Sequence, residues 1–208
     1  MTPIRHLAAA AAAVALSLAC ATPASASVER FFDHPKGMLS VPTELHSSSG
    51  CVQRAVTVFP FVNPDGGRSV WTEVDAYDSC ADQPVLARFG RADLAPDDVA
   101  IGDDLTSASL TVTVPAFDGL ADGFPPTDPI EIDLRWIGSG RIHESLTRYA
   151  DGQLEGATIV NHDHEACRDA TVAGSVVSGG VDYAAGATAD TLICRQTAGS
   201  LFLFVGHP

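Results

Sequence analysis

The feature that most constrains this chain is a strict alternation of apolar and polar residues, in short runs separated by turn-forming clusters. In Ile130–Trp136 the residues Ile130, Ile132, Leu134 and Trp136 share one side of an extended segment, and Glu131, Asp133 and Arg135 share the other. Side chains of a strand point alternately to its two faces, so a period of two prescribes a strand with one dry face and one wet face. A helix would scatter the same residues around its circumference. Ser109–Pro115 repeats the pattern, with Leu110, Val112 and Val114 inward and Thr111 and Thr113 outward.

Other runs follow the same rule. Val52–Val62 and Arg68–Tyr77 flank Asn63-Pro-Asp-Gly-Gly67, a turn signal that joins them as a hairpin. In the second of them Val70, Thr72, Val74 and Ala76 alternate with Trp71, Glu73, Asp75 and Tyr77. Further strands are expected at Val85–Arg91, Arg141–Tyr149, Thr158–Asn161, Thr188–Arg195 and Ser200–Val205, with a hairpin of Asp169–Ser178 and Val181–Ala184 around Gly179-Gly180. About nine or ten short sequential strands, with no amphipathic helix among them, predict an all-β fold: an antiparallel β-sandwich or partly closed barrel.

The N-terminus reads as an export signal. A short region carrying Arg5 precedes an apolar run from Leu7 to Ala21, and small residues stand at Ala24 and Ala26. The run falls short of the roughly 20 apolar residues of a membrane span. Cleavage after Ala26 is expected, which gives a leader at 1–26, a loosely held arm at 27–50 rich in Pro, Gly and Ser, and a β-sandwich domain at 51–208. Lipidation at Cys20 is the less favoured route, because Ser17 stands where such signals carry Leu. Four cysteines then remain, Cys51, Cys80, Cys167 and Cys194. An even number in an exported chain predicts two disulfides. Cys51–Cys80 and Cys167–Cys194 are the favoured pairs, since each would join neighbouring strands.

The charge excludes some partners. The chain has 26 acidic residues against 12 Lys and Arg, a formal net charge of −14. A field of that sign repels nucleic acid and anionic membrane surfaces. Lys36 is the only lysine, and with the abundance of Ala and Gly this points to a GC-rich bacterial genome.

No catalytic motif stands out. Gly138-Ser139-Gly140 lacks the Gly-x-Ser-x-Gly elbow of a serine hydrolase, and no pair of carboxylates can be singled out for glycoside hydrolysis. The strongest local cluster is Asn161-His162-Asp163-His164-Glu165. In an extended segment His162 and His164 face the same way and could chelate zinc, with Glu165 or His143 as a third ligand. The Asp-rich loops 97–104 and 118–128 invite calcium but lack the Asp-x-Asp-x-Asp-Gly spacing. No cofactor is expected. Trp136 continues an inward face and belongs to the core, whereas Trp71 and Tyr77 share an outward face with Glu73 and Asp75. The favoured reading is therefore a secreted, non-enzymatic module that binds a carbohydrate, cell-wall component or protein through Trp71 and Tyr77. The alternative is a metal-binding protein or metal-dependent hydrolase centred on His162 and His164.

From Tyr77 onward the chain resembles a family of secreted bacterial β-rich proteins with no established function. The matching pieces are Tyr77-Asp-Ser-Cys80, Leu134-Arg-Trp136-Ile-Gly138-Ser-Gly140 and Arg168-Asp-Ala170-Thr-Val-Ala-Gly174-Ser-Val176. The resemblance implies export and a β-architecture, and it carries over no catalytic residue.

Overall fold

A computed structural model describes residues 26–33, 37–154 and 157–205. The expected leader, with Cys20, lies outside the described residues except for Ala26. The described chain is built from β1 (Ala26–Asp33), β2 (Met38–Ser40), β3 (Thr43–Ser49), β4 (Val52–Val62), β5 (Arg68–Asp78), β6 (Gln83–Asp93) and β7 (Val99–Ile101), then β8 (Ser107–Asp118), β9 (Pro126–Gly138), β10 (His143–Leu154), β11 (Ala157–Ser178), β12 (Val181–Asp182) and β13 (Thr188–Val205). Every strand pairing is antiparallel. Among the described residues no helix is long and apolar enough to cross a membrane.

The sheet closes on itself. The path β4–β5–β6–β8–β9–β11 returns through β13, whose first half pairs β3 and β2, and these pair β4. The result is a ring of strands rather than a regular barrel, because the seams differ greatly in length. β4 and β5 pair over eleven residue pairs, whereas β6 and β8 pair over three, Arg88–Gly90 against Ala116–Asp118. At that short seam the strands crowd together. A Cβ on Gly90 would collide with the Pro115 carbonyl oxygen. Beyond the ring, the ends of β11 and β13 continue side by side, flanked by β10 and β1, as a four-stranded projection.

The core occupies the inside of the ring and follows the alternation of the sequence. Val56 and Val58, Val70 and Val74, Leu110 and Val114, and Ile130, Ile132, Leu134 and Trp136 are buried from successive strands. Val112 is only half-buried. Trp136 donates its indole N–H to Thr43 Oγ1 at 2.9 Å, and Thr43 in turn shares a 2.8 Å hydrogen bond with Thr191 Oγ1. A buried Trp needs such a partner for its N–H.

Two expectations change. The stretch 27–50, expected as a loose arm, supplies β1, β2 and β3, and Leu39, Val41 and Leu45 enter the core. Pro42 separates β2 from β3 without breaking the alternation of Leu39, Val41, Thr43 and Leu45, and the backbone of both strands finds partners on β13 and β4. The stretch around His162 belongs to the first half of one 22-residue strand, β11, continuous with the expected strand at Asp169–Ser178.

Both expected disulfides are present. Cys51–Cys80 staples the end of the β4–β5 hairpin opposite its turn, and Cys167–Cys194 joins directly opposed residues of β11 and β13. Replacing Cys167 and Cys194 together by serine should cost on the order of 3 kcal/mol, the chain-entropy value for a loop of this length. Denaturant unfolding under non-reducing conditions measures it, and an unchanged midpoint would contradict it.

Candidate functional site

The outer face of β5 carries the four residues that the sequence placed there. Trp71 and Tyr77 are each 39% exposed, with Glu73 and Asp75 half-buried between them. They share a face because the inward set, Val70, Thr72, Val74 and Ala76, occupies the alternate positions of the core. Neighbouring strands extend this face. On β4, Phe59, Thr57, Ala55 and Gln53 stand opposite Trp71, Glu73, Asp75 and Tyr77. On β6, Arg91, Phe89 and Ala87 stand opposite Trp71, Glu73 and Asp75. Farther round, His46 of β3 is paired with Ala55 and with Thr188 of β13.

At the Tyr77 end the surface hollows into an open groove of about 820 Å³, lined by His46, Gln53, Arg54, Asp75, Tyr77 and Thr188 among others. The lining offers guanidinium, imidazole and amide donors together with carboxylate and hydroxyl acceptors. The Tyr77 hydroxyl donates to the Asp82 carboxylate, which raises its pKa and fixes the ring at the rim.

Glu73 and Asp75 form a carboxyl pair two residues apart. Partial burial raises the pKa of Glu73, and the neighbouring Asp75 charge and a hydrogen bond between the two carboxyls raise it further. Burial also raises Asp75, partly offset by the hydrogen bond from Glu73. Each thus holds its proton more readily than a free carboxyl.

Phenylalanines enlarge the aromatic surface beyond the two residues singled out in the sequence. Phe59 and Phe61 have ring centroids 5.9 Å apart, and Phe89 lies 6.0 Å from Phe117 and 5.5 Å, edge to face, from Phe124. Phe117 and Phe124 are exposed. A signal was present in the sequence, since Phe59 and Phe61 occupy the outward parity of β4.

The histidines are arranged differently from the expected zinc set. His162 and His164 do share one face of β11, the face that buries Ala166. Glu165 points to the opposite face, as the period of a strand requires. His143 pairs directly with Cys167, so it too lies on the face of Glu165. His164 Nε2 instead lies 3.8 Å from Glu144, and His143 Nε2 lies 3.7 Å from Asp169. Among the described residues, the convergent groups of three ligand-type side chains are Cys51, Asp78 and Cys80, and Glu165, Cys167 and Cys194. In each, two members are disulfide sulfurs, not thiolates. No three-ligand centre therefore forms around His162 and His164 among the described residues.

The Asp-rich loops are held by local turn chemistry. Asp98 accepts from the Ala95 N–H, Asp104 from the N–H and hydroxyl of Thr106, and Asp118 from the Leu120 N–H. The Thr106 contacts lower the Asp104 pKa. Such bonds are what Asp contributes to turns.

No known protein family, curated protein or solved structure matches this chain.

Proposed function

We propose that this protein is a secreted, non-enzymatic module that binds a neutral or cationic carbohydrate on the outer face of β3, β4 and β5. The observation that carries this reading is the row Trp71, Glu73, Asp75, Tyr77 on one strand, with both aromatic rings exposed and with Asp75 and Tyr77 lining an open groove at one end. Sugar rings present apolar C–H faces that stack on aromatics and hydroxyl edges that need both donors and acceptors. Six residues of strand span roughly 20 Å, room for several sugar units. The acidic surface disfavours anionic polymers. Export rests on the leader and on the two disulfides, which form in oxidising compartments.

A panel of neutral, amino-bearing and acidic oligosaccharides titrated calorimetrically tests the reading. Trp71→Ala and Tyr77→Ala should each weaken binding by about tenfold, the equivalent of one lost stacking contact. Their melting temperatures should hold, because both rings lie outside the core. Oligosaccharide incubated with the protein should be recovered intact. Undiminished binding by the double variant, or no binding by the wild type, would overturn the proposal.

A further inference from the structure

We propose that the turn end of the β4–β5 hairpin holds a second binding site, separate from the Tyr77 groove, which takes the free carboxylate end of a peptide. A groove of about 460 Å³ opens there, lined by residues of the turn 63–67 and of the end of β6. Its polar wall comes from Asn63, Arg68, Ser69, Arg91 and Asp93. Ser69 is the residue that marks it. It has the outward parity of Trp71, two positions on, yet it is 3% exposed, and its hydroxyl has no hydrogen-bond partner. Phe61 of β4 and Asp93 of β6 stand opposite it on either side. A buried hydroxyl without a partner destabilises the fold, and an oxyanion placed against it would offset that loss. The oxygen is covered in the single chain, so a ligand reaches it by parting the exposed side chains of Arg91 and Asp93.

The donors around Ser69 suit a carboxylate. A guanidinium carries five N–H groups in a planar fork that matches two carboxylate oxygens. Arg68 gives one of its N–H groups to the Gly66 carbonyl at 3.1 Å, which anchors it to the turn and leaves the rest of the fork for a ligand. Arg91 is exposed, and neither arginine has an ion-pair partner among the described residues. The turn is closed by its own bonds. Asn63 N–H donates to the Gly67 carbonyl at 2.8 Å, Gly66 N–H to the Asn63 carbonyl at 2.9 Å, and Gly67 N–H to the Asp65 carboxylate at 2.9 Å. The wall therefore stands formed before any ligand arrives.

The surrounding charge selects among anions. Asp93 in the groove, Asp65 in the turn and the net charge of −14 oppose a phosphate dianion about twice as strongly as a single carboxylate. The rest of the lining includes Phe61, Leu94 and Pro96, an apolar surface for the group next to the carboxylate. A C-terminal peptide residue with an apolar side chain matches both walls, and the Asn63 and Asp93 oxygens can accept from its amide N–H. A uronic acid would set hydroxyl groups against the apolar side instead, where they find no partner.

NMR titration of the purified protein with acetyl-Gly-Leu tests this without relying on the carbohydrate reading. The peptide should bind with a dissociation constant in the millimolar range and shift the amide signals of Gly66 and Gly67. Its C-terminal amide, glucuronate and inorganic phosphate should each bind at least about tenfold more weakly. Arg91→Gln should weaken the peptide about tenfold, whereas Arg135→Gln, which removes the same charge from the exposed face of β9, should bind as the wild type does. Ser69→Ala should lose affinity severalfold without any fall in melting temperature, because it removes a hydroxyl that has no partner in the unliganded fold. A wild type that does not bind the peptide would overturn the proposal. So would an amide, glucuronate or phosphate that binds as tightly, or wild-type affinity in either Arg91→Gln or Ser69→Ala.

Discussion

Replacing Trp136 by alanine should lower the free energy of unfolding by about 4 kcal/mol, the cost of emptying a fully buried Trp site. Trp136 is 1% exposed, and its indole reaches across the ring to Thr43, which is bonded in turn to Thr191. One side chain thus ties β9 to β3 and β13, and its removal opens a cavity while leaving polar groups to be satisfied again. Against a total stability of about 5–15 kcal/mol, the loss should be visible as a large drop in the urea midpoint. Trp136→Phe gives the intermediate case. It keeps a six-membered ring in the site but loses the N–H donor and the five-membered part of the indole, so it should cost less than alanine, about 2–3 kcal/mol. If alanine proved no worse than phenylalanine, the ring interior would not be packed around this residue.

The second large effect is expected at Gly174, in mid-strand on β11. Its φ is +131°, and an added Cβ would land on the Asp133 carbonyl of the paired strand β9. Gly174→Ala must therefore push β9 and β11 apart at a seam that closes the ring. A cost above about 3 kcal/mol is expected, in the range of overpacked or strained backbone sites. Gly180→Ala is the internal control. That residue also has a positive φ, +78°, but a Cβ there meets nothing within 4 Å. Its cost should be only the conformational penalty of about 1–2 kcal/mol. Equal losses in the two variants, measured by thermal or urea unfolding, would refute the close approach at Gly174.

These two positions mark how far the sequence could be read. Trp136 was assignable to the core because it continues the parity of Ile130, Ile132 and Leu134. Its partners were not, because Thr43 and Thr191 are separated by 148 positions and neither has a local pattern that announces a buried hydroxyl. Gly174 reads as a weak point in a strand, and nothing near it in sequence shows that the backbone of β9 passes so close. The role of residues 38–49 was hidden for a related reason. Pro42 and the serines at 47–49 look like loop chemistry, but strands on both sides supply the pairing that local propensity does not.

The candidate binding face divides in the same way. That Trp71, Glu73, Asp75 and Tyr77 share an outward side follows from period two alone. That a groove lies beside Tyr77, with His46 and Thr188 on its wall, depends on β3 and β13 arriving next to β4. The His162, His164 and Glu165 set shows the converse. The same period that aligns the two imidazoles turns Glu165 away, and the acid that does approach His164 is Glu144, brought by the register of β10.

Local covalent and steric rules act over two to five residues, so the sequence by itself determined most of the strands from β4 onward, the face that their side chains take, and which cysteines were placed to pair. Which strands become neighbours, how the ring closes through β13, and where Gly174 must make room were decided by tertiary structure. Those contacts join residues far apart along the chain, and they exist only once the apolar faces have found one another.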